Sequence, residues 1–294
     1  MNPFSAFWNG LLGLLGSALA FFYDIVPNYG VAIILLTIVI MLLMFPLTLK
    51  QTRSMRAMQT IQPEVKRIQK EFKGDKEELN KQLMALYQER GINPAAGCLP
   101  LLLQAPIWFA LFRVLSVTND PDTGAPIFSD ALPTDSSLVE SLRAGDSGFL
   151  GMDLLITPGD ALGIGLGQAI PYILLIVIIV ASGFFQQHQM MRRRANDPEQ
   201  EQSAQTQSVQ RAMRFMPLLI GVFSWRFPGG LVLYFAASNL FRIGQQAVIL
   251  RDEKQARDNG QGTTTAIAQP IVEAEAPKRP SPNASKKKKK RKRK

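Results

Sequence analysis

The chain has one cysteine, Cys98, and one histidine, His188. A lone cysteine closes no internal disulfide, and a lone histidine cannot anchor a metal cluster. Zinc, iron–sulfur, Cys/His and Ser-His-Asp chemistries therefore lack their parts. Charge is scarce as well. Asp, Glu, Lys and Arg make up 19% of the 294 residues, against roughly 25% in a typical soluble domain. What charge there is lies unevenly. Lys plus Arg is 33 and Asp plus Glu is 23, but nine of the bases form the uninterrupted run Lys286 to Lys294. Everything before that run carries 24 bases against 23 acids. A basic soluble protein is excluded as a description of the whole, and neither a catalytic set, a metal nor a cofactor is expected.

What the chain does have is apolar length: 47% of its residues are hydrophobic. A helix needs about 20 largely apolar residues to cross roughly 30 Å of hydrocarbon. Val31–Leu49, Gly91–Phe112 and Ala161–Met191 are uncharged, and Phe215–Phe241 is uncharged except for Arg226. Arg226 stands in Trp225-Arg226-Phe227-Pro228-Gly229-Gly230, whose proline and glycines turn a chain.

Lys and Arg collect on the cytoplasmic side of membrane proteins. Residues 50–90 hold ten bases, whereas 117–160 holds one, Arg143, against eight acids. Arg192, Arg193 and Arg194 follow the third run. This pattern puts 50–90 and 192–214 inside, and 117–160 and the N-terminus outside. A final hairpin of two spans returns the basic tail to the cytoplasm. The expected fold is an all-α polytopic membrane protein, a five-helix core over 30–250 with spans near 31–49, 97–116, 169–189, 209–225 and 228–248.

Residues 1–29 lack the basic flank of a secretory signal. They are read as an amphipathic helix lying in the outer interface, with Phe and Trp at headgroup level. Residues 54–91 read as a cytoplasmic helical hairpin. Met58, Ile61, Val65, Ile68 and Phe72 recur at intervals of three and four. Asp75 then caps a second helix, with Glu78 at the capping-box position and Leu79, Leu83 and Leu86 as its seam. A coiled-coil spacer and a partner-docking surface both fit the pattern. The outer loop 117–160, rich in Asp, Pro, Ser and Gly, is expected to be mobile. Residues 251–294 are expected to be a disordered cytoplasmic tail. Its run of Lys286, Lys287, Lys288, Lys289, Lys290, Arg291, Lys292, Arg293 and Lys294 attracts polyanions, either anionic lipid or ribosomal RNA.

Polar side chains inside spans are costly and mark functional sites or interhelical bonds. Here they are Thr37, Gln104, Ser182, Tyr234, Ser238 and Asn239. Ordinary hydrogen bonding between helices is the plainer reading for the hydroxyls. Met41, Met44, Met55 and Met58 offer adaptable apolar contacts or simple core filling.

Three stretches carry a resemblance: LKQTRSMRAMQTIQPEVKRIQ, QERGINPAAGCLPLLLQAPIWFALFRVL and FMPLLIGVFSWRFPGGLVLYFAASNLFRIGQQ. In order, and over roughly residues 20–250, the chain resembles the YidC/Oxa/Alb membrane protein insertases, in the short form found in Gram-positive bacteria. The resemblance implies a multi-pass protein of the inner (plasma) membrane that inserts and helps fold nascent membrane proteins, alone or with the Sec translocon, and that works as a monomer. Substrates would pass through a hydrophilic groove open to cytoplasm and lipid, the hairpin would capture them, and the basic tail would help hold the ribosome. One departure stands out. The family's first core helix carries an arginine shortly before its proline; counted back from Pro46, that position is Met41. Arg226 is a candidate substitute for the groove charge, or it snorkels to the outer headgroups. A small transporter, a ribosome tether without groove-mediated insertion, and an intramembrane enzyme are the rival classes. Paired charges or repeats for the first and a catalytic set for the last are not seen.

Overall fold

The structure is a computed structural model and describes residues 3–93, 99–119, 126–195 and 215–258. Its helices are α1 (Pro3–Ile25), α2 (Tyr29–Thr60), α3 (Gln62–Glu71), α4 (Lys76–Glu89), α5 (Leu99–Leu115), α6 (Ser137–Arg143), α7 (Pro158–Ile164), α8 (Leu166–Ala195), α9 (Phe215–Ser224) and α10 (Gly229–Asp258). Two short antiparallel ribbons complete it: β1 (Thr118–Asn119) with β2 (Pro126–Ile127), and β3 (Gly148–Phe149) with β4 (Met152–Asp153). Pro3–Ile25, Tyr29–Thr52 and Leu166–Gln189 are long and apolar enough to cross a membrane. Gln104–Leu115 and Phe215–Ser224 are shorter apolar helices. Residues 209–214 of the fourth expected span lie outside the described residues.

The segment 126–160 differs from the mobile loop expected of its composition. Ser136 caps α6 by accepting from the Val139 amide, and Thr157 and Asp160 cap α7 reciprocally. Leu132, Leu138, Val139, Leu142, Met152 and Leu154 are all buried in the main hydrophobic core. Their partners come from elsewhere in the chain, which is why local composition hid them. The β3–β4 turn is Leu150-Gly151, both at positive φ (50° and 80°), as a two-residue hairpin requires.

This segment forms a cap against which the core helices end in alternation. Phe149 lies over Gly30 at the start of α2, so close that a β-carbon there would sit 2.2 Å from its ring. At the start of α8, the Tyr172 hydroxyl donates to the Asp153 carbonyl. Trp225, just after α9, lies beside Gly159. The first amides of α10 are held by the cap itself: Gly229 N–H donates to Ile156 O (2.9 Å) and Gly230 N–H to Leu154 O (2.8 Å). Those bonds satisfy donors that a helix start leaves unpaired. Leu115, ending α5, packs near Gly230. Successive core helices therefore run from the cap, to it, from it, to it and from it.

Helix α1 packs against α2, α5 and α6. Gly16 sits on the Ala131 carbonyl, and Asp24 accepts a hydrogen bond from the Ser137 hydroxyl. Both the middle and the end of α1 thus touch the cap, over about 12 Å of helix at 1.5 Å per residue.

Burial falls away from the cap. In α2 the residues buried in the main core end at Met41, with Gln51 and Ala57 buried farther along, and in α10 the buried residues end at Ser238. In α5 the fully buried positions are Ala110, Leu111, Val114 and Leu115, the last turns before the cap. Among the described residues, the main core is concentrated at the cap end of the helices.

Beyond Met41, α2 continues unbroken through Pro46 to Thr60. Helices α3 and α4 then pack on each other through a separate cluster. Ala57, Ile61, Val65, Leu86 and Ile92 are its buried members, with Met58, Ile68, Leu83 and Tyr87 against them. Leu79, expected in that seam, is half-buried and outside the cluster. Asp75 caps α4, accepting from the Glu77 and Glu78 amides. An Arg90–Glu64 pair (2.6 Å) joins the end of α4 to α3; exposed as it is, it contributes little. At the other terminus α10 runs to Asp258, past the expected boundary at 250. The basic run 286–294 and Cys98 lie outside the described residues.

Candidate functional site

The polar residues of the spans divide into two groups. Thr37, Ser182 and Ser238 are buried, but each hydroxyl donates to a carbonyl of its own helix: Thr37 to Ile33 (2.7 Å), Ser182 to Ile179 (2.9 Å) and Ser238 to Phe235 (3.0 Å). Such back-bonding satisfies the hydroxyl within its own helix. Asn239 is half-buried, and its backbone carbonyl accepts from Gln186 of α8 at 3.5 Å. The contact lies between α8 and α10.

The second group joins helices. Gln104 of α5 donates from Nε2 to the Tyr234 hydroxyl of α10 at 2.6 Å, across 130 residues of sequence. Gln245 of α10 donates from Nε2 to the Met41 carbonyl of α2 at 3.2 Å. Arg242, half-buried on α10, lies close enough to Tyr234 for their charges to interact. Tyr234, Ser238, Arg242 and Gln245 are spaced by four, four and three, so they share one helix face. Among the described residues no carboxylate pairs with Arg242. Three helices thus contribute to this face: α10 with Tyr234, Arg242 and Gln245, α5 with Gln104, and α2 with the Met41 backbone.

An aromatic wall adjoins this face. Trp108 stacks within 4.5–6.5 Å of Phe109, Phe112, Phe227 and Phe235, and its buried indole N–H has no hydrogen-bond partner among the described residues.

Arg242 and Gln245 were not among the residues expected from the sequence, and the spacing down one face of α10 is the signal that marks them. Arg226 is found elsewhere. It is exposed beside the cap and lines a cleft between α8 and α9 with Ile176, Val180 and Leu218, away from Gln104 and Tyr234. Of the two arginines, Arg242 joins the polar face and Arg226 does not.

The apolar helices with one polar face define an α-helical integral membrane protein. Comparison with known proteins is specific. Residues 21–257 match the family described as 60Kd inner membrane protein. A protein of Syntrophobacter fumaroxidans named "Membrane protein insertase YidC" is 40% identical over 230 residues, covering 78% of this chain and 35% of that one. Proteins of the same name from Magnetococcus marinus (34%, 81% of this chain) and Rickettsia conorii (36%, 79%) are similar as well. A solved structure titled "Active YidC insertase crystal structure with the first transmembrane domain resolved" aligns with TM-score 0.49 and 24% identity, over 83% of this chain and 46% of that one. The chain belongs to the 60Kd inner membrane protein family, the YidC/Oxa/Alb family that its motifs resemble, and is an inner membrane protein. It spans a little over a third of the length of the curated relatives it matches.

Proposed function

We propose that the chain is a membrane protein insertase and chaperone that passes polar segments of nascent membrane proteins through a groove on the polar face of α10. The observation that carries this reading is the polar row of Tyr234, Arg242 and Gln245 on one face of α10, bonded to Gln104 of α5 and to the Met41 carbonyl of α2. Polar groups placed there lower the cost of bringing a short polar segment partway across, and burial of the substrate's apolar helix in lipid drives the step. No covalent chemistry is needed. Arg242 is the groove's cation, and substrates with short outer tails bearing few acids are favoured.

The alternation of α2, α5, α8, α9 and α10 about the cap supports five spans. With the acid-rich cap outside, α3 and α4 lie in the cytoplasm as a hairpin. The half-buried apolar residues Met58, Ile68 and Leu83 then offer an adaptable docking edge for an emerging chain. The length of α1 in contact with the cap supports its lying along the outer interface. The basic tail would reach ribosomal RNA or anionic lipid. Cooperation with the Sec translocon is compatible with a groove open sideways.

Photo-crosslinking to ribosome-bound nascent membrane proteins tests this, with probes at Thr37, Met41, Gln104 and Tyr234 and with exposed Val177 as control. The groove positions should crosslink as the nascent helix emerges and fade as it lengthens. Crosslinks equal at Val177, or confined to the tail, would make the chain a ribosome tether or assembly factor instead.

A further inference from the structure

Arg226 and the cleft it lines are not used by the groove. The cleft lies between α8 and α9, open on one side, with a volume of about 610 Å³. The two helices meet closely at glycines: a β-carbon on Gly183 would sit 2.8 Å from Pro217, and one on Gly221 would sit 2.5 Å from Val180. Ile176, Val180, Leu218, Val222 and Phe223 give the cleft apolar walls, and Trp225 and Arg226 close it at the cap end. Val222 and Phe223 are more than half exposed, so the cleft faces outward from the bundle.

We propose that this cleft binds one anionic phospholipid of the leaflet next to the cap, with an acyl chain between α8 and α9 and the phosphate on Arg226. Apolar-walled and open to the lipid side, the cleft falls within the roughly 300–1,000 Å³ of small-ligand sites. Depth and charge select the headgroup. Trp225 lies beside Gly159 of the cap, so Arg226 stands at the membrane boundary, where an indole and a guanidinium meet headgroups. Among the described residues no carboxylate pairs with Arg226. A planar guanidinium binds a phosphate through two parallel hydrogen bonds. The inference rests on the membrane setting alone and stands apart from the insertase reading.

The test uses the full chain in vesicles of phosphatidylcholine and phosphatidylglycerol, with a trace of phosphatidylglycerol bearing a photoactivatable acyl chain. Mass spectrometry then locates the labelled residues. Labelling should concentrate on Ile176, Val180, Leu218 and Val222 relative to exposed Leu43 of α2, and excess unlabelled phosphatidylglycerol should compete at least fivefold better than phosphatidylcholine. Arg226→Gln should reduce the labelling fivefold or more while Arg226→Lys keeps most of it. Val222→Trp should block it with Arg226 intact. Equal labelling by a phosphatidylcholine probe, or undiminished labelling in Arg226→Gln, would overturn the assignment.

Discussion

Arg242 offers the sharpest test of the groove. It stands thirteen residues beyond the cap-anchored Gly229, about 20 Å along the helix, well inside roughly 30 Å of hydrocarbon. A carboxylate 4 Å from a guanidinium gains about 4 kcal/mol at an effective dielectric near 20. Desolvation and ordering offset much of that, leaving about 1.4 kcal/mol, a tenfold effect on a rate or partition. Arg242→Gln should therefore slow insertion of a substrate with one aspartate in its translocated tail about tenfold. A substrate with asparagine at that position should change little. The Met41 carbonyl is held by Gln245, one turn from Arg242. Met41→Arg in the Arg242→Gln background consequently returns a cation to the same locality and should restore most of the loss. The assay is protease protection of both substrates in proteoliposomes with ribosome–nascent chain complexes. Equal losses for the aspartate and asparagine substrates would refute the electrostatic role. So would failure of the swap in a variant that folds normally.

Four further outcomes follow from particular contacts. Gln104→Leu and Tyr234→Phe, combined in a double-mutant cycle on unfolding in detergent micelles, should show a coupling of about 0.6–1.7 kcal/mol, as for other interhelical bonds in membranes; a coupling near zero would mean the 2.6 Å contact contributes nothing. Gly16→Val would place a β-carbon 2.0 Å from the Ala131 carbonyl, so it should cost about 1–3 kcal/mol and make residues 126–160 more sensitive to protease. Leu150→Asn should stabilise the chain by about 1 kcal/mol, read as a raised melting temperature, since Leu150 holds φ at 50°. Replacing Lys286–Lys294 by serine and glutamine should weaken co-sedimentation with ribosomes and flatten its salt dependence, while groove crosslinks to already targeted chains persist.

The sequence made some of this legible and hid the rest for identifiable reasons. The apolar stretches near 31–49 and 169–189 fall within the helices α2 and α8, and that near 97–116 overlaps α5, because uncharged length is a local property. The Asp75 cap was equally local. Gln104 was marked by its isolation, and its Tyr234 partner was among the polar residues named. Arg242 and Gln245 escaped because they sit where α10 loses hydropathy and reads as a span's inner end; only the packing of α2 and α5 turns that end into a lining. The cap escaped for the opposite reason. Leu138, Val139, Leu142 and Leu154 are too few to form a core alone, and they are buried by α1 and the ends of four other helices. Arg226 shows the limit of a motif: its position at a turn was clear, but which cleft it faced depended on how α9 meets α8.

The distribution of packing bears on how such a groove can work without leaking. At the cap, α10 is pinned through Gly229 and Gly230, and Tyr29, Leu36, Leu111, Leu115 and Leu231 fill the space between helices. Farther along, polar cross-helix contacts are made by side-chain amides: Gln104 with Tyr234, Gln245 with the Met41 carbonyl, Gln186 with the Asn239 carbonyl. Close-packed side chains hold fixed positions and exclude water. Amides on half-buried faces can exchange their partners for water or a substrate backbone at little net cost. On the proposed reading, the rigid end sets the register of the polar face and the polar end opens. Filling the polar end with apolar side chains, as in Gln245→Leu with Arg242→Leu, should stabilise the bundle while abolishing crosslinks at Met41 and Gln104. A variant that is both more stable and fully active would show that the polar face is structural.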